Sequence, residues 1–306
     1  LQIPGAAEPI DARNLPDDPA ALAVELDRHA IFGRVTPEQK RAFVKVLKAR
    51  GHTVAMTGDG VNDALALKDA DLGIAMGSGS PATRAVAKVV LLDDSFAAMP
   101  QILAEGRRVL GNIERVASLF LVKTAYSLVL AILVGLGHVP FPFLPRHVTL
   151  VGSLTIGIPG FFLALAPNHE RARPGFVHRV LRFAVPGGLA CALAAFLAYG
   201  LARMNDASDQ TADRSTATLS LFLAATWVLA LIARPYTWWR AALVVAMLAC
   251  FTLAAAVPFA AHFFALDLSN PADDAIALAC AAAAAAIITL VYLRQAQPPA
   301  TVPHQR

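Results

Sequence analysis

The 306-residue chain is short of cysteine and of charge, and each shortage narrows what it can be. Its three cysteines, Cys191, Cys250 and Cys280, fall inside apolar runs. Their spacing suits neither a disulfide framework nor a zinc site, so they read as small buried hydrophobes. Charged residues make up 16% of the chain against 57% hydrophobic ones, and the mean hydropathy is +0.55. That balance is too apolar for an ordinary soluble domain of this length. The net charge of +4 comes without aromatic–basic interleaving, and its basic residues stand beside apolar runs, which argues against nucleic acid as a partner. No amino-terminal signal peptide is visible. The chain opens without methionine in the Pro/Asp-rich stretch LQIPGAAEPIDARNLPDDPA and reads as though cut from something longer.

What charge there is lies unevenly. Residues 1–115 hold most of the acids and lysines and read as a soluble α/β region, while the remainder is largely apolar. Within the first region, residues 21–50 read as helical pieces around a turn, with Ile31–Val35 a short strand candidate. Thr36-Pro37-Glu38-Gln39 supplies an N-cap, a first-turn proline and an early acid, a sound helix start. The helix that follows carries Phe43, Val44 and Leu47 inward and Lys40, Arg41, Lys45, Lys48 and Arg50 largely outward. Leu72–Met76 reads as a buried strand ended by Gly77-Ser78-Gly79. Ser80-Pro81 caps a helix through Val86, and Val89–Leu92 makes another strand. Such alternation predicts a mostly parallel sheet with helices on its faces.

One run in this region carries chemistry. Thr57-Gly58-Asp59-Gly60-Val61-Asn62-Asp63 is a doubly glycine-broken turn with two carboxylates and an amide, set directly after the run His52–Met56. It is expected at the carboxyl end of a strand, where open α/β sheets bind ligands. Glycines admit a phosphate close to the backbone, and acids can hold a hard divalent cation such as Mg²⁺.

The whole stretch AMTGDGVNDALALKDADLGIAMG (55–77) closely resembles the hinge motif of P-type cation-transporting ATPases, and RVTPEQK (34–40) resembles their R-V-x-P-x-x-K segment. The resemblance implies a Rossmann-like, haloacid-dehalogenase-type phosphorylation domain. It implies that Lys40 neutralises an aspartyl phosphate, that Asp59 binds Mg²⁺, and that Asn62 and Asp63 order the phosphate-side loop built on Thr57, Gly58 and Gly60. ATP is the substrate of the complete pump in this reading. A fixed ammonium suits such chemistry, because phosphoryl transfer is catalysed mainly by positioning and charge. Without the motif, Lys40 is one more surface lysine. Asp69, Asp71, Asp93 and Asp94 read as turn and cap carboxylates. The family's phospho-acceptor sequence D-K-T-G-T does not occur here, and neither do its nucleotide domain, its T-G-E loop or its first four membrane helices. Asp59 cannot serve both as metal ligand and as the nucleophile that an acyl phosphate needs. The resemblance therefore implies a carboxyl-terminal portion, inactive alone, whose partner is the missing amino-terminal half of the same pump.

Six apolar stretches are long enough to cross about 30 Å of hydrocarbon, near 116–137, 147–166, 180–202, 217–234, 241–263 and 275–293. They define a helical membrane domain over 116–294, after a phosphorylation-domain part over 1–100 and a helix over 101–115, and before a Pro/Gln-rich tail over 295–306. Alternate loops are basic (Arg171, Arg173, Arg179, Arg182; Arg234, Arg240) or acidic (Asp206, Asp209, Asp213; Asp267, Asp273, Asp274). This places the soluble part and the tail on the cytoplasmic side, and the resemblance implies a bacterial plasma membrane. Trp238 and Trp239 fit an interfacial belt. Six spans after the motif resemble the calcium, sodium/potassium, proton or magnesium-like pumps rather than the heavy-metal ones, which have two. GRRVLGNIER resembles the family's stalk, with Gly106 and Gly111 either allowing a bend or serving packing.

The family's ion ligands lie in the first two of these spans. The matching positions here are Thr124 and Ser127 in LVKTAYSLV, and Thr155, Gly157 and Pro159 in LTIGIPG, with Ile156 where the family has an acid. No span contains Asp or Glu, so a two-calcium site of the familiar kind is not expected and the transported cation is left open. Lys123 is the one lysine within the spans. It either reaches back to the headgroups or points into the ion path, as a lysine does at a similar place in the gastric proton pump. Its spacing to Ser127 favours the path. Pro159 between glycines is expected to unwind the second span and free carbonyl oxygens, or else to be a packing kink. Two alternatives stand beside the pump reading: a non-catalytic membrane subunit or remnant, and a membrane-anchored phosphatase, which the lack of a nucleophilic D-x-D or D-K-T disfavours.

Overall fold

A computed structural model describes residues 8–168, 175–205 and 209–296. The expectations resting on Arg171, Arg173, Asp206 and the tail beyond 296 lie outside the described residues. The chain divides into two compact units, Leu1–Ile102 and Leu103–Arg306.

In the first unit, strand β1 (Ile10–Asp11) pairs in parallel with β2 (Phe32–Gly33), Ile10 opposite Phe32. Helix α1 (Pro19–Arg28) joins them, capped by Asp18, whose carboxylate accepts the Ala21 amide at 2.9 Å. The Pro/Asp-rich opening thus supplies a strand and a capped helix. The strand expected over 31–35 is shorter because Arg34 turns to φ 56° and sends its guanidinium to Asp11 at 3.0 Å. Helix α2 (Pro37–Ala49) begins as the sequence predicts, with a capping box. Gln39 N donates to Thr36 Oγ1 and Thr36 N donates back to Gln39 Oε1.

A second sheet holds β3 (Ala55–Gly58), β4 (Leu72–Met76) and β5 (Val89–Leu91), all parallel and in that order. Helices α3 (Ala64–Asp69) and α4 (Pro81–Val86) make the two crossovers. Val44 of α2 packs with Ala66 and Ala70, and Val54 and Met56 close over them. The basic face of α2 is not simply solvated. Arg41 is ion-paired with Asp69, and Lys48 reaches Asp71 at 3.1 Å. The Arg41 hydrogen bond pulls the Asp69 carboxyl below the usual range. The Val54 amide, then Lys48, does the same for Asp71. Groups with lowered folded pKa stabilise above their unfolded value, near 3.8, and lose that contribution as pH falls through the folded one. We therefore expect the first unit's contribution from these pairs to be level from pH 5 to 7 and to fall away only below about pH 4. Thermal unfolding with Asp69→Asn as comparison checks this: the variant's deficit shrinks at low pH.

The second unit is helical: α5 (Met99–Gly137), α6 (Pro145–Gly152), α7 (Ile158–Ala164), α8 (Phe176–Asn205), α9 (Gln210–Ile232), α10 (Trp238–Ala256), α11 (Pro258–Phe264) and α12 (Pro271–Ala296). Among the described residues, six helices are long and apolar enough to cross a membrane. Helix α9 has no separate polar face and is mostly buried, packed by α8 and α12, with Phe222 stacked on Phe251 of α10 at 4.0 Å. The expected stalk and first span are one unbroken helix, α5.

Two spans differ from expectation. The fifth ends at Ala256 rather than running to 263, because Pro258 holds Val257 in extended geometry (φ −82°, ψ 118°) before α11 starts afresh. In the second span Pro159 does not unwind the helix. The chain widens into a π-helical turn over Ser153–Gly157, where Ile158 N bonds Ser153 O, and continues as α7. Helices α5 and α8 approach closely at Gly188, where an added Cβ would sit 2.8 Å from the Val122 carbonyl oxygen and 3.0 Å from the Tyr126 nitrogen. Gly188→Val is expected to destabilise by about 1–3 kcal/mol through overpacking. Gly200→Ala, with nothing within 4 Å of the added atom, should not. Melting of the detergent-solubilised protein separates the two.

Candidate functional site

The glycine-broken run is part strand and part helical turn. Thr57 and Gly58 are the last residues of β3, Asp59 follows, and Val61–Asp63 form a 3-10 turn entering α3. Parallel pairing of Gly58 with Ala75 fixes where β3 ends. Asp59 therefore stands at the carboxyl edge of the sheet, where ligands bind in folds of this kind. Asp63 turns back beneath it, its amide donating to Gly60 O at 3.0 Å.

Lys40 Nζ donates to Asp63 Oδ1 at 2.6 Å, with side-chain exposures of 35% and 10%. A lysine 23 residues upstream thereby joins the run, held by the capped start of α2. An ammonium has three protons, so this bond leaves Lys40 with donors to spare for an anion. Asp59 and Asn62 are exposed, and among the described residues their side chains have no hydrogen-bond or ion-pair partner. An exposed carboxylate without a competing cation, beside a buried one already matched by Lys40, offers hard oxygen and fits Mg²⁺. Gly58 has a structural part beside the phosphate approach expected of it. An added Cβ would lie 2.5 Å from Asp63 Cβ and 2.8 Å from its Oδ2, so its bareness makes room for Asp63.

Sequence reasoning missed the loop that leans on this turn. Ser80 N donates to Asp59 O at 2.8 Å and Thr83 Oγ1 donates to Gly60 O at 2.7 Å. The capping serine and the paired glycines of GSGSP were visible; their target was not, because it lies across the sheet edge.

In the helical unit, Lys123 is half-buried and lies over Gly152. Its Nζ is 3.0 Å from where a Cβ on that glycine would be, just ahead of the π-helical turn. The ammonium thus faces the second span. Thr155 is buried and its hydroxyl donates to Val151 O at 2.7 Å, Pro159 is buried, and Gly157 is exposed. Thr124, which donates to Phe120 O at 3.0 Å, and Ser127 are both exposed. Lys123, Gly152 and the widened turn therefore come together, while Thr124 and Ser127 remain on an uncovered face of α5.

Two further contacts were not foreseen. Asn112 donates to the carbonyls of Ala164 and Ala166 at 2.9 and 2.7 Å, holding the end of α7 against α5. Glu114 and Arg179 form a two-bond ion pair at 2.9 and 2.8 Å that ties α5 to the start of α8. Gly111 is a packing glycine, since an added Cβ there would meet the Asn168 amide, whereas Gly106 faces open space.

Residues 6–71 match the model of the haloacid dehalogenase-like hydrolase family, which agrees with a parallel sheet ending in an acidic turn. Over nearly its whole length the chain is similar to calcium-transporting ATPases CtpE. It is 50% identical to that of Mycolicibacterium smegmatis over 298 residues, covering 93% of this chain and 38% of that protein. It is 52% identical to that of Mycobacterium tuberculosis, covering 93% and 37%. A probable cation-transporting ATPase, exp7, of Streptococcus pneumoniae is 37% identical over 77% of this chain and 31% of its own length. The chain belongs with the bacterial cation-transporting P-type ATPases as a carboxyl-terminal portion, and spans less than two fifths of the length of these relatives.

Proposed function

We propose that this chain supplies the metal-and-phosphate edge and six membrane helices of an ATP-driven cation pump. The observation that carries the reading is the Lys40–Asp63 pair at 2.6 Å, set beside the exposed Asp59 at the end of β3. Asp59 holds Mg²⁺, which when bound neutralises charge on the phosphoryl group. Lys40 donates to that group, Asp63 fixes Lys40, and the Asn62 amide orders the loop over Thr57, Gly58 and Gly60. The phospho-acceptor aspartate and the nucleotide and actuator domains come from the rest of the pump, outside this chain, so the chain alone does not turn over ATP. Residues 1–100 serve as part of the phosphorylation domain, 101–115 as stalk and 116–294 as the membrane domain. Helix α5, continuous from Met99 to Gly137, links them. The basic loops and the soluble part face the cytoplasm of a bacterial plasma membrane.

The cation passes between α5 and the widened turn of the second span, past Lys123, Thr155, Gly157 and Pro159, with Thr124 and Ser127 on the α5 face that other helices of the pump cover. Lys123 meets its counter-charge on one of those helices. Calcium is the first cation to test, because relatives about half identical to this chain are named for it. ATP-driven Ca²⁺ uptake by inside-out vesicles carrying the complete pump, lost in Asp59→Asn, is the expected result. Stimulation by a different cation reassigns the ion; no ion-stimulated ATP turnover contradicts the function.

A further inference from the structure

The Asp59–Gly60 turn is gripped from outside the motif. Its two successive carbonyls point to the loop and helix that follow β4. Asp59 O accepts the Ser80 amide at 2.8 Å, and Gly60 O accepts the Thr83 hydroxyl at 2.7 Å. Gly60 O also accepts the Asp63 amide at 3.0 Å, so both its lone pairs are used.

The hydroxyl protons can be placed by elimination. Thr83 spends its one proton on Gly60 O, so in the 2.7 Å contact between the two side chains Ser80 must be the donor. Ser80 Oγ in turn accepts the Thr83 amide at 3.1 Å. A single directed chain results, Ser80 to Thr83 to Gly60, and such chains polarise one another. Thr83 is fully buried, and it makes these bonds away from solvent.

Gly79 permits the grip. A Cβ there would come within 2.9 Å of Asp59 O and 3.2 Å of Asp59 Cα. The loop's other end is anchored too, by Gly77 N on Leu91 O at 2.8 Å and by Arg84 on Gly77 O at 3.1 Å. The brace is therefore tied to β5 and α4, and the turn that carries Asp59 is fixed on its backbone side while its carboxylate stays exposed.

We propose that Thr83, backed by Ser80, is a positioning residue for the Asp59 metal site: it sets the backbone of Asp59 and Gly60 so that Mg²⁺ meets a preformed ligand. This inference rests on the pump reading above. Residues behind a metal ligand, when removed, commonly weaken metal affinity about tenfold or more. Thr83→Val keeps the shape of the side chain and deletes the hydroxyl, leaving Gly60 O one partner short and Ser80 without its acceptor. Thr83→Ser keeps the hydroxyl.

The test uses the complete pump. The Mg²⁺ concentration for half-maximal phosphoenzyme formation is expected to rise about tenfold in Thr83→Val, with the half-saturating ATP concentration unchanged, and to return toward wild type in Thr83→Ser. Independently of activity, amide hydrogen exchange over Asp59–Asp63 in metal-free protein should be faster in Thr83→Val and not in Thr83→Ser. Equal Mg²⁺ dependence and equal exchange in wild type and Thr83→Val overturn the brace while leaving the pump reading intact. A parallel rise in both Mg²⁺ and ATP requirements, unrescued by serine, reduces Thr83 to a general packing role and also overturns it. A wild-type pump that forms no phosphoenzyme overturns the pump reading and with it the Mg²⁺ role, and the exchange comparison then decides by itself whether Thr83 braces the turn.

Discussion

Replacing Lys40 with methionine is expected to lower ATP turnover of the complete pump by about 10²–10³, the loss typical when one prearranged donor to a developing charge is removed. The stem of methionine preserves the packing of α2, so the effect isolates the ammonium. It has two parts. The phosphoryl group loses its cationic neighbour, and Asp63, only 10% exposed at its side chain, loses the partner that holds it at 2.6 Å. Lys40→Arg should not restore activity, because a planar fork on a longer stem cannot occupy the place of a point charge. Asp63→Asn keeps a hydrogen-bond acceptor for Lys40 and is expected to lose less than Lys40→Met. Single-turnover decay of the phosphoenzyme checks the series. Turnover within about twofold of wild type in Lys40→Met would return Lys40 to the status of a surface lysine, since surface substitutions stay within that range.

The second large effect separates the two glycines of the motif. Gly58→Ala sets a methyl 2.5 Å from Asp63 Cβ, at a strand position paired with Ala75. The strand is held by its ladder, so Asp63 must move, and the bond to Lys40 goes with it. Turnover is expected to fall about 100-fold or more, on the scale of the lost donor. Gly60→Ala is expected to cost about twofold at most. Its φ is −92°, open to any residue, and the nearest atom to the added methyl is 3.8 Å away. A comparison of the two alanine variants for turnover and folding tests the geometry directly. Equal losses would mean that Gly58 serves phosphate approach, as the sequence alone had implied, rather than room for Asp63.

Much of the fold was legible because local signals and the long apolar runs agreed. Thr36-Pro37-Glu38-Gln39 has one sensible reading as a helix start, and α2 begins there with its capping box closed. Leu72–Met76 is a run without polar side chains ended by Gly77, and it is the central strand of the sheet. Six spans follow from length and hydropathy alone. What stayed hidden depends on contacts between distant residues. Nothing near Thr83 says that its hydroxyl meets Gly60, and nothing near Glu114 names Arg179, 65 residues away. The second span shows a subtler limit. Pro159 announces a break in the α pattern, but whether a helix unwinds or widens depends on whether neighbouring turns take up the freed carbonyls. Here the chain takes a π turn over Ser153–Gly157. Lys123 likewise had two readings by sequence, and neither named Gly152, against which its ammonium lies.

In the proposed pump, Lys40, Asp59 and Asp63 work on an aspartyl phosphate that residues outside this chain provide. The most direct measurement is ATP-dependent, vanadate-sensitive phosphorylation in membranes, with this chain expressed alone and then joined to the residues encoded immediately upstream. Labelling is expected only in the joined protein, and it is expected to be lost in Asp59→Asn. Absence of labelling in both samples would contradict the pump reading and leave a membrane subunit or remnant that keeps the fold without the chemistry.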